Sequence, residues 1–171
     1  GLDLVKGGVD NIMTYSNAQF VVLGSGDWEY EQFFKEMQAK YPGRFVLCQG
    51  FVPELARKIY GGSDIFLMPS KSEPCGLSQM VALRYGSIPV VRETGGLKDS
   101  ITDSGDGKGN GFTFQTYDTQ DMLNSVHRAI YAYNESKDGW KVLVERAMAC
   151  DNSWGRSAND YIRLYKQLIN S

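Results

Sequence analysis

Short apolar runs recur along the first two thirds of the chain, each bounded by glycine, proline or acidic residues. They cover residues 20–23, 45–47, 65–68, 88–91 and 112–114. Continuous apolar runs of this length are typical of strands that are buried on both faces of a parallel sheet. The pattern therefore predicts five parallel β-strands.

The segments between these runs have apolar residues at the three- and four-residue spacing of a helix. The first such segment carries Tyr30, Phe33, Phe34, Met37 and Tyr41, and similar patterns cover residues 55–59 and 77–84. Alternation of strand and helix predicts an α/β fold, a Rossmann-like parallel sheet with helices on both faces.

From residue 118 onward the strand signals stop, and helical patterns cover residues 122–133, 140–149 and 154–168. The last two contain four aromatic residues, Trp140, Trp154, Tyr161 and Tyr165. We expect these aromatic side chains to pack in the core, and a platform that binds carbohydrate is the alternative interpretation.

Composition and charge narrow the classes of partner. The 171 residues are 42% hydrophobic, which is enough for one domain with a substantial core. The formal net charge is -2, so no strongly basic surface is available to bind nucleic acid or an anionic membrane. No apolar run reaches the roughly 20 residues that cross a bilayer, and neither kind of partner is expected.

The chain has three widely spaced cysteines, Cys48, Cys75 and Cys150. They form no C-x-x-C pair and one is left over, which argues against a disulfide framework and against a zinc site. A reducing cytosol is the expected compartment. The single histidine, His127, falls in the middle of a predicted helix and is expected at the surface, so nucleophilic hydrolysis by a Ser/His/Asp or Cys/His arrangement is not expected.

In parallel sheets, ligands bind where the carboxyl ends of strands meet the first turns of helices, because unpaired N–H groups face outward there. This places four loops at the candidate site, covering residues 24–27, 50–52, 69–76 and 92–97.

The loop at residues 69–76 carries the clearest chemistry. Pro74 rigidifies the turn, Gly76 permits close approach to the backbone, and the amides of Leu77 and Ser78 begin a helix. Such a helix start binds anions, whereas Glu73 beside it would repel a phosphate and suits a polyhydroxylated group instead. A sugar nucleotide satisfies both requirements. The alternative is that Glu73 is a solvated loop residue or a helix cap.

Two other loops have weaker signals. Thr94, Gly95 and Gly96 follow a strand in a turn whose successive amides could hold an anion. Phe51, in a loop after a glycine, could stack on a base or be a core residue at the end of a strand.

The remaining loop, at residues 24–27, begins like a dinucleotide-binding fingerprint. Glu29, however, stands where the third glycine belongs, which argues against a nicotinamide cofactor.

Taken together, these residues resemble a known family. Residues 70–79 read S-K-S-E-P-C-G-L-S-Q, residues 82–92 read A-L-R-Y-G-S-I-P-V-V-R and residues 94–97 read T-G-G-L. This sequence closely resembles the C-terminal domain of bacterial glycogen synthases and plant starch synthases, and the likeness extends over nearly the whole chain.

The resemblance implies a retaining glucosyltransferase with two Rossmann-like domains (GT-B), which transfers glucose from ADP-glucose to the 4-hydroxyl of an α-1,4-glucan. It implies no metal and no cofactor, and a cytoplasmic enzyme in bacteria or a plastid enzyme in plants. Residues 1–171 would form the single C-terminal, donor-binding domain.

The resemblance also implies roles for particular residues. Glu73 would hold the transferred glucose as the catalytic acid. Phe51 would stand where the family usually has a tyrosine against the adenine, so that it keeps a stacking face and loses a hydroxyl. The other expected donor-binding residues are Cys75, Gly76, Leu77, Ser78, Thr94, Gly95 and Gly96.

In this family the arginine and lysine that clamp the diphosphate lie just before a G-L-D-L segment, and this chain begins with Gly1-Leu2-Asp3-Leu4. We therefore expect the chain to be a fragment that lacks both cations, one strand and the acceptor-binding N-terminal domain, and to be folded but inactive. A non-catalytic glucan-binding module with a vestigial nucleotide site is the alternative.

Overall fold

The computed structural model describes residues 1–169. In chain order its elements are α1 (Leu2–Tyr15), β1 (Phe20–Gly24), α2 (Trp28–Lys40), β2 (Phe45–Gln49), α3 (Pro53–Gly62), β3 (Ile65–Met68), α4 (Ser78–Tyr85), β4 (Ile88–Arg92), α5 (Gly95–Ser100), β5 (Phe112–Phe114), α6 (Thr119–Glu135), α7 (Lys137–Met148) and α8 (Trp154–Ile169). All five predicted strands are confirmed. None of the helices in this range is long and apolar enough to cross a membrane.

All the strands pair in parallel, which confirms the predicted fold class, but they form two sheets. In one sheet β1 pairs with β2, and in the other the order is β3, β4, β5. Phe20 lies opposite Phe45 in the first, and Ile65 lies opposite Ile88 in the second.

The split arises because β1 and β3 each pair on one side only. The amide of Phe20 donates a hydrogen bond to the carbonyl of Arg44, just before β2. In a parallel strand, alternate residues direct their backbone groups to the same neighbouring strand. The backbone groups of Val21 and Leu23 therefore face away from β2. Ile88 likewise donates to Asp64, so Ile65 turns its backbone away from β4. Each sheet therefore ends in an unpaired edge.

Helix α1, which the sequence analysis did not predict, joins the two halves. Its buried residues Leu4 and Ile12 belong to one hydrophobic cluster, and Val5, Val9 and Met13 belong to the other. Two adjacent glycines weaken the helical signal here, but a Cβ at Gly8 would lie only 2.8 Å from the Met122 side chain on α6. The glycine that lowers helix propensity thus lets α1 pack closely on α6.

The expectation for the C-terminal aromatic residues is correct for Trp140 and wrong for the other three. Trp140 on α7 is buried and packs edge-on against Tyr133. Trp154, Tyr161 and Tyr165 on α8 are 88%, 59% and 56% exposed. The helical pattern locates an apolar stripe, but it does not show whether this chain covers the stripe.

Asp103 connects the loop after α5 to β5 and α6. Its carboxylate accepts two hydrogen bonds from Arg128, at 3.0 and 2.6 Å, and others from the amides of Gly105 and Thr113, at 2.9 and 2.8 Å. Partial burial alone would raise the pKa of Asp103, but these hydrogen bonds outweigh it and lower the pKa to about 2.

We expect Asp103→Asn to lower the free energy of unfolding at pH 7 by about 1–3 kcal/mol, because hydrogen bonds to a charged group are lost. The folded-state pKa lies below the unfolded value of about 4, so the stabilisation is complete above that pH and disappears as the pH falls toward 2. Urea unfolding of both proteins across this range checks the prediction.

The matched control is Asp160→Asn, because Asp160 pairs with Arg163 on the exposed helix α8. This change should leave the unfolding free energy the same within error. A gap between wild type and Asp103→Asn that stays constant down to pH 2 would contradict the assigned pKa.

Candidate active site

The carboxyl ends of β3 and β4 bring two of the predicted loops into contact. The amide of Gly96, at the start of α5, donates to the backbone carbonyl of Glu73 at 3.0 Å. The predicted site residues of the two loops therefore share one edge of the sheet: Glu73, Cys75, Gly76, Leu77 and Ser78 on one side, and Thr94, Gly95 and Gly96 on the other.

Two glycines make this contact possible. A Cβ at Gly95, where φ is +43°, would lie 2.1 Å from the carbonyl oxygen of Glu73. A Cβ at Gly96 would lie 1.8 Å from the carbonyl oxygen of Cys75. The space that a side chain would need at both positions is thus occupied by the backbone of the neighbouring loop.

The turn into α4 presents unused backbone donors. Gly76 has a φ of +73°, and α4 begins at Ser78 with Leu77 as its N-cap, whose side chain makes no capping bond. Within residues 1–169, the amides of Gly76 and Leu77 donate to no acceptor. Donors arranged in this way can bind an anion.

Glu73 lies in the same turn and is half-buried. Its carboxylate makes no hydrogen bond or ion pair with any other part of the described chain, so both oxygens remain able to accept hydrogen bonds from hydroxyl groups. The helix-cap alternative for Glu73 does not apply, because α4 has no side-chain cap.

The remaining predicted positions have different surroundings. Phe51 follows β2 and is 92% exposed, so the core interpretation is wrong. Cys75 is an exposed free thiol. His127, which was expected at the surface, is half-buried, and its Nε2 lies 2.8 Å from Asn11 Oδ1 on α1. No group of three potential metal ligands occurs among the described residues.

Sequence reasoning missed Gln79, which lies behind the turn. Its side chain is fully buried, and Nε2 donates to the carbonyls of Gly76 and Cys75 at 2.9 and 3.3 Å and to Ser100 Oγ at 3.1 Å. Gln79 stands inside the E-P-C-G-L-S-Q segment, which was the available signal, but its polar side chain gave no indication of burial.

A second missed group lies near the ends of the same strands. Tyr117 donates its hydroxyl to the Asp3 carboxylate, and this hydrogen bond raises the pKa of Tyr117 to about 12 and lowers the pKa of Asp3. Lys71 Nζ and Arg92 Cζ lie 5.7 and 5.5 Å from the centre of the Tyr117 ring. Two cations of this chain are thus held at the carboxyl edge of the sheet.

An α/β domain with free amides and a free carboxylate at the ends of its parallel strands fits enzymes that transfer a group from a nucleotide. The family described as "Glycosyl transferases group 1" matches residues 1–139. The chain therefore belongs to the glycosyl transferase group 1 family.

Curated relatives and solved structures show which members of this family the chain is similar to. The glycogen synthases of Geobacillus thermodenitrificans and Pseudothermotoga lettingae are 52% and 49% identical to 99% of this chain. The catalytic domain of starch synthase IV from Arabidopsis thaliana, bound to ADP and acarbose, is 36% identical over 99% of the chain with a TM-score of 0.84. The sucrose-phosphate synthase of Thermosynechococcus elongatus, 20% identical with a TM-score of 0.68, shares the fold.

The chain is similar to only part of these proteins. It spans 35% of the length of each of the two glycogen synthases and 36% of the starch synthase chain. About two thirds of the length of each of these relatives therefore lies outside the region that the chain matches.

We expect Gly96→Ala to lower the free energy of unfolding by at least about 2 kcal/mol, because the added methyl group overlaps the Cys75 carbonyl and the two loops must separate. The control is Gly62→Ala near the end of α3, where a Cβ would meet nothing within 4 Å. Thermal unfolding checks both, and equal melting temperatures for the two variants would show that the loops do not pack as described.

Proposed function

We propose that the chain is the donor-binding domain of a glycogen or starch synthase. The enzyme transfers glucose from ADP-glucose to the 4-hydroxyl end of an α-1,4-glucan, with retention of configuration. The observation that carries this proposal is the unpaired carboxylate of Glu73 beside the unused amides at the start of α4. The names of the relatives, glycogen synthase and starch synthase bound to ADP and acarbose, support the same donor and acceptor.

In this proposal, Glu73 accepts hydrogen bonds from the transferred glucose, which Cys75 and Gly76 also contact. The amides of Leu77 and Ser78 bind the diphosphate, together with the outward-facing amide of Gly76, and Thr94, Gly95 and Gly96 form the adjoining wall. Phe51, already exposed, stacks on the adenine.

The chemistry follows from where charge develops. When the bond from glucose to the diphosphate breaks, negative charge builds on the departing phosphate oxygen. Amides that already point at that oxygen stabilise the transition state without having to reorganise. The carboxylate of Glu73 fixes the sugar, so that the bond that breaks is held beside these donors.

The proposed domain arrangement places residues 1–171 in the C-terminal half of the enzyme. The acceptor glucan would bind to an N-terminal domain, and a further strand would precede Gly1. The unpaired edges of β1 and β3 are compatible with such a strand. Three free cysteines favour a reducing compartment, the cytosol of a bacterium or the plastid of a plant.

The first test is Glu73→Ala in the full-length protein. We expect incorporation of glucose from ADP-glucose into glycogen to fall by about 100-fold or more, because the sugar loses its carboxylate partner and the reacting bond is no longer oriented. The assay uses labelled ADP-glucose and UDP-glucose in parallel.

A matched control is Glu36→Ala, which changes an acidic residue on α2, and this variant should retain full activity. A correctly folded Glu73→Ala protein with wild-type activity would move the site elsewhere. Absence of transfer from either donor by the wild-type enzyme would contradict the proposed reaction.

A second test uses the 171-residue chain alone. We expect it to fold but to synthesise no glucan. We also expect it to bind ADP about 10²–10⁴-fold more weakly than the full-length protein, because two charged hydrogen bonds to the diphosphate are missing. Calorimetric titration with ADP checks the affinity. Glucan synthesis by the isolated chain would refute the proposal that the reaction also needs an N-terminal domain.

The exposure of Trp154, Tyr161 and Tyr165 favours one further candidate function, a non-catalytic glucan-binding module. In that case the chain would bind glycogen with an affinity that ADP leaves unchanged, and Trp154→Ala would abolish this binding. The full-length protein would then also be inactive.

A further inference from the structure

We propose that Gln79 is a positioning residue that turns the amides of Gly76 and Leu77 toward the diphosphate of the bound nucleotide. The inference rests on the proposed function for the identity of the ligand. It assigns a role to a buried residue that is not itself expected to touch the substrate.

The contacts of Gln79 fix the orientation of its side-chain amide. Nε2 faces the carbonyl oxygens of Gly76 and Cys75 and the hydroxyl of Ser100. The Ser100 hydroxyl donates to the Gly96 carbonyl at 2.6 Å, so it accepts from Gln79. All three neighbours are therefore acceptors, and only the NH₂ group can face them.

Because peptide groups are planar, these contacts also determine where the amides of Gly76 and Leu77 point. The carbonyl of Cys75 and the amide of Gly76 belong to one trans peptide group and point in opposite directions, as do the carbonyl of Gly76 and the amide of Leu77. Because Gln79 holds both carbonyls toward the interior, both amides point away from it.

The conformation of the turn brings these two amides together. Gly76 is left-handed, with a φ of +73°, and Leu77 is near the right-handed helical region, with φ of -113° and ψ of -32°. Successive residues of opposite hand make their amides converge on one point, which is the geometry of an anion-binding concavity. Neither amide has another acceptor in residues 1–169.

Gln79 also links the two loops of the site. Through Ser100 it is connected to Gly96, whose amide is bonded to Glu73. One side chain therefore supports both the amides that face the phosphate and the backbone of the residue that faces the sugar.

The burial of Gln79 argues against simple space filling. Its side chain is fully buried, yet Oε1 has no hydrogen-bond partner in the described part of the chain. A buried acceptor without a partner is unfavourable, and a methionine of similar length would fill the same volume without it. The presence of a glutamine at this position is explained by the carbonyl groups of Cys75 and Gly76, which its NH₂ group holds in place.

The test compares ADP with adenosine as ligands of the full-length protein. We expect Gln79→Met to weaken ADP binding by about ten-fold or more, the equivalent of one hydrogen bond to a charged group. Adenosine lacks the diphosphate, so its affinity should not change. Calorimetry measures ADP binding, and ligand-observed NMR titration measures the weaker adenosine binding.

The matched control is Ser125→Ala, which removes another buried hydrogen bond, the one from Ser125 Oγ to the Thr113 carbonyl at 2.6 Å. It should leave the affinities for both ligands unchanged. If Gln79→Met does not fold, as judged by circular dichroism, Ser100→Ala replaces it and should selectively weaken ADP binding by several-fold.

The possible results distinguish the positioning role of Gln79 from the proposed function. Selective loss of ADP affinity supports the positioning role. Unchanged ADP affinity in Gln79→Met, or equal loss for ADP and adenosine, overturns it while leaving the proposed function intact. A wild-type protein that binds no ADP would contradict the proposed function itself, and with it the ligand named here.

Discussion

The contact between the loop at residues 73–76 and the start of α5 is the constraint on which the candidate site depends. It consists of one backbone hydrogen bond, from Gly96 to Glu73, and two close approaches that only glycine permits. Each loop follows a different strand, so neither is held in place by its own sequence alone. Their packing determines where the Glu73 carboxylate lies relative to the amides of α4, and therefore which ligand the edge of the sheet can accept.

The same reliance on packing in place of continuous hydrogen bonding holds for the domain as a whole. No hydrogen bonds between described strands connect the β1–β2 sheet with the β3–β4–β5 sheet. The two halves are joined by side-chain packing, to which α1 contributes because neighbouring parts of its one buried face enter separate hydrophobic clusters. Burial of apolar surface thus holds the two sheets together, whereas a ladder of backbone hydrogen bonds holds the strands together inside each sheet.

The strands were predictable from sequence because buried parallel strands leave continuous apolar runs, and the site loops were predictable because such strands present their carboxyl ends to ligands. Helix α1 was not predicted, because the Gly7-Gly8 pair obscures its pattern and only the approach of α6 explains it. The positions of Trp154 and Gln79 could not be inferred either. An apolar stripe does not reveal whether anything covers it, and a glutamine does not reveal that three acceptors surround its NH₂ group.

The unpaired edges of β1 and β3 have a consequence for handling the chain by itself. An exposed strand edge offers a row of free N–H and C=O groups that another strand can join, and natural proteins usually protect such edges with charges, prolines or covering elements. Here the edge strands are apolar and carry none of these protective residues between Val21 and Leu23 or between Ile65 and Leu67. Copies of the chain in concentrated solution are therefore expected to associate edge to edge, and dilute conditions favour the monomer.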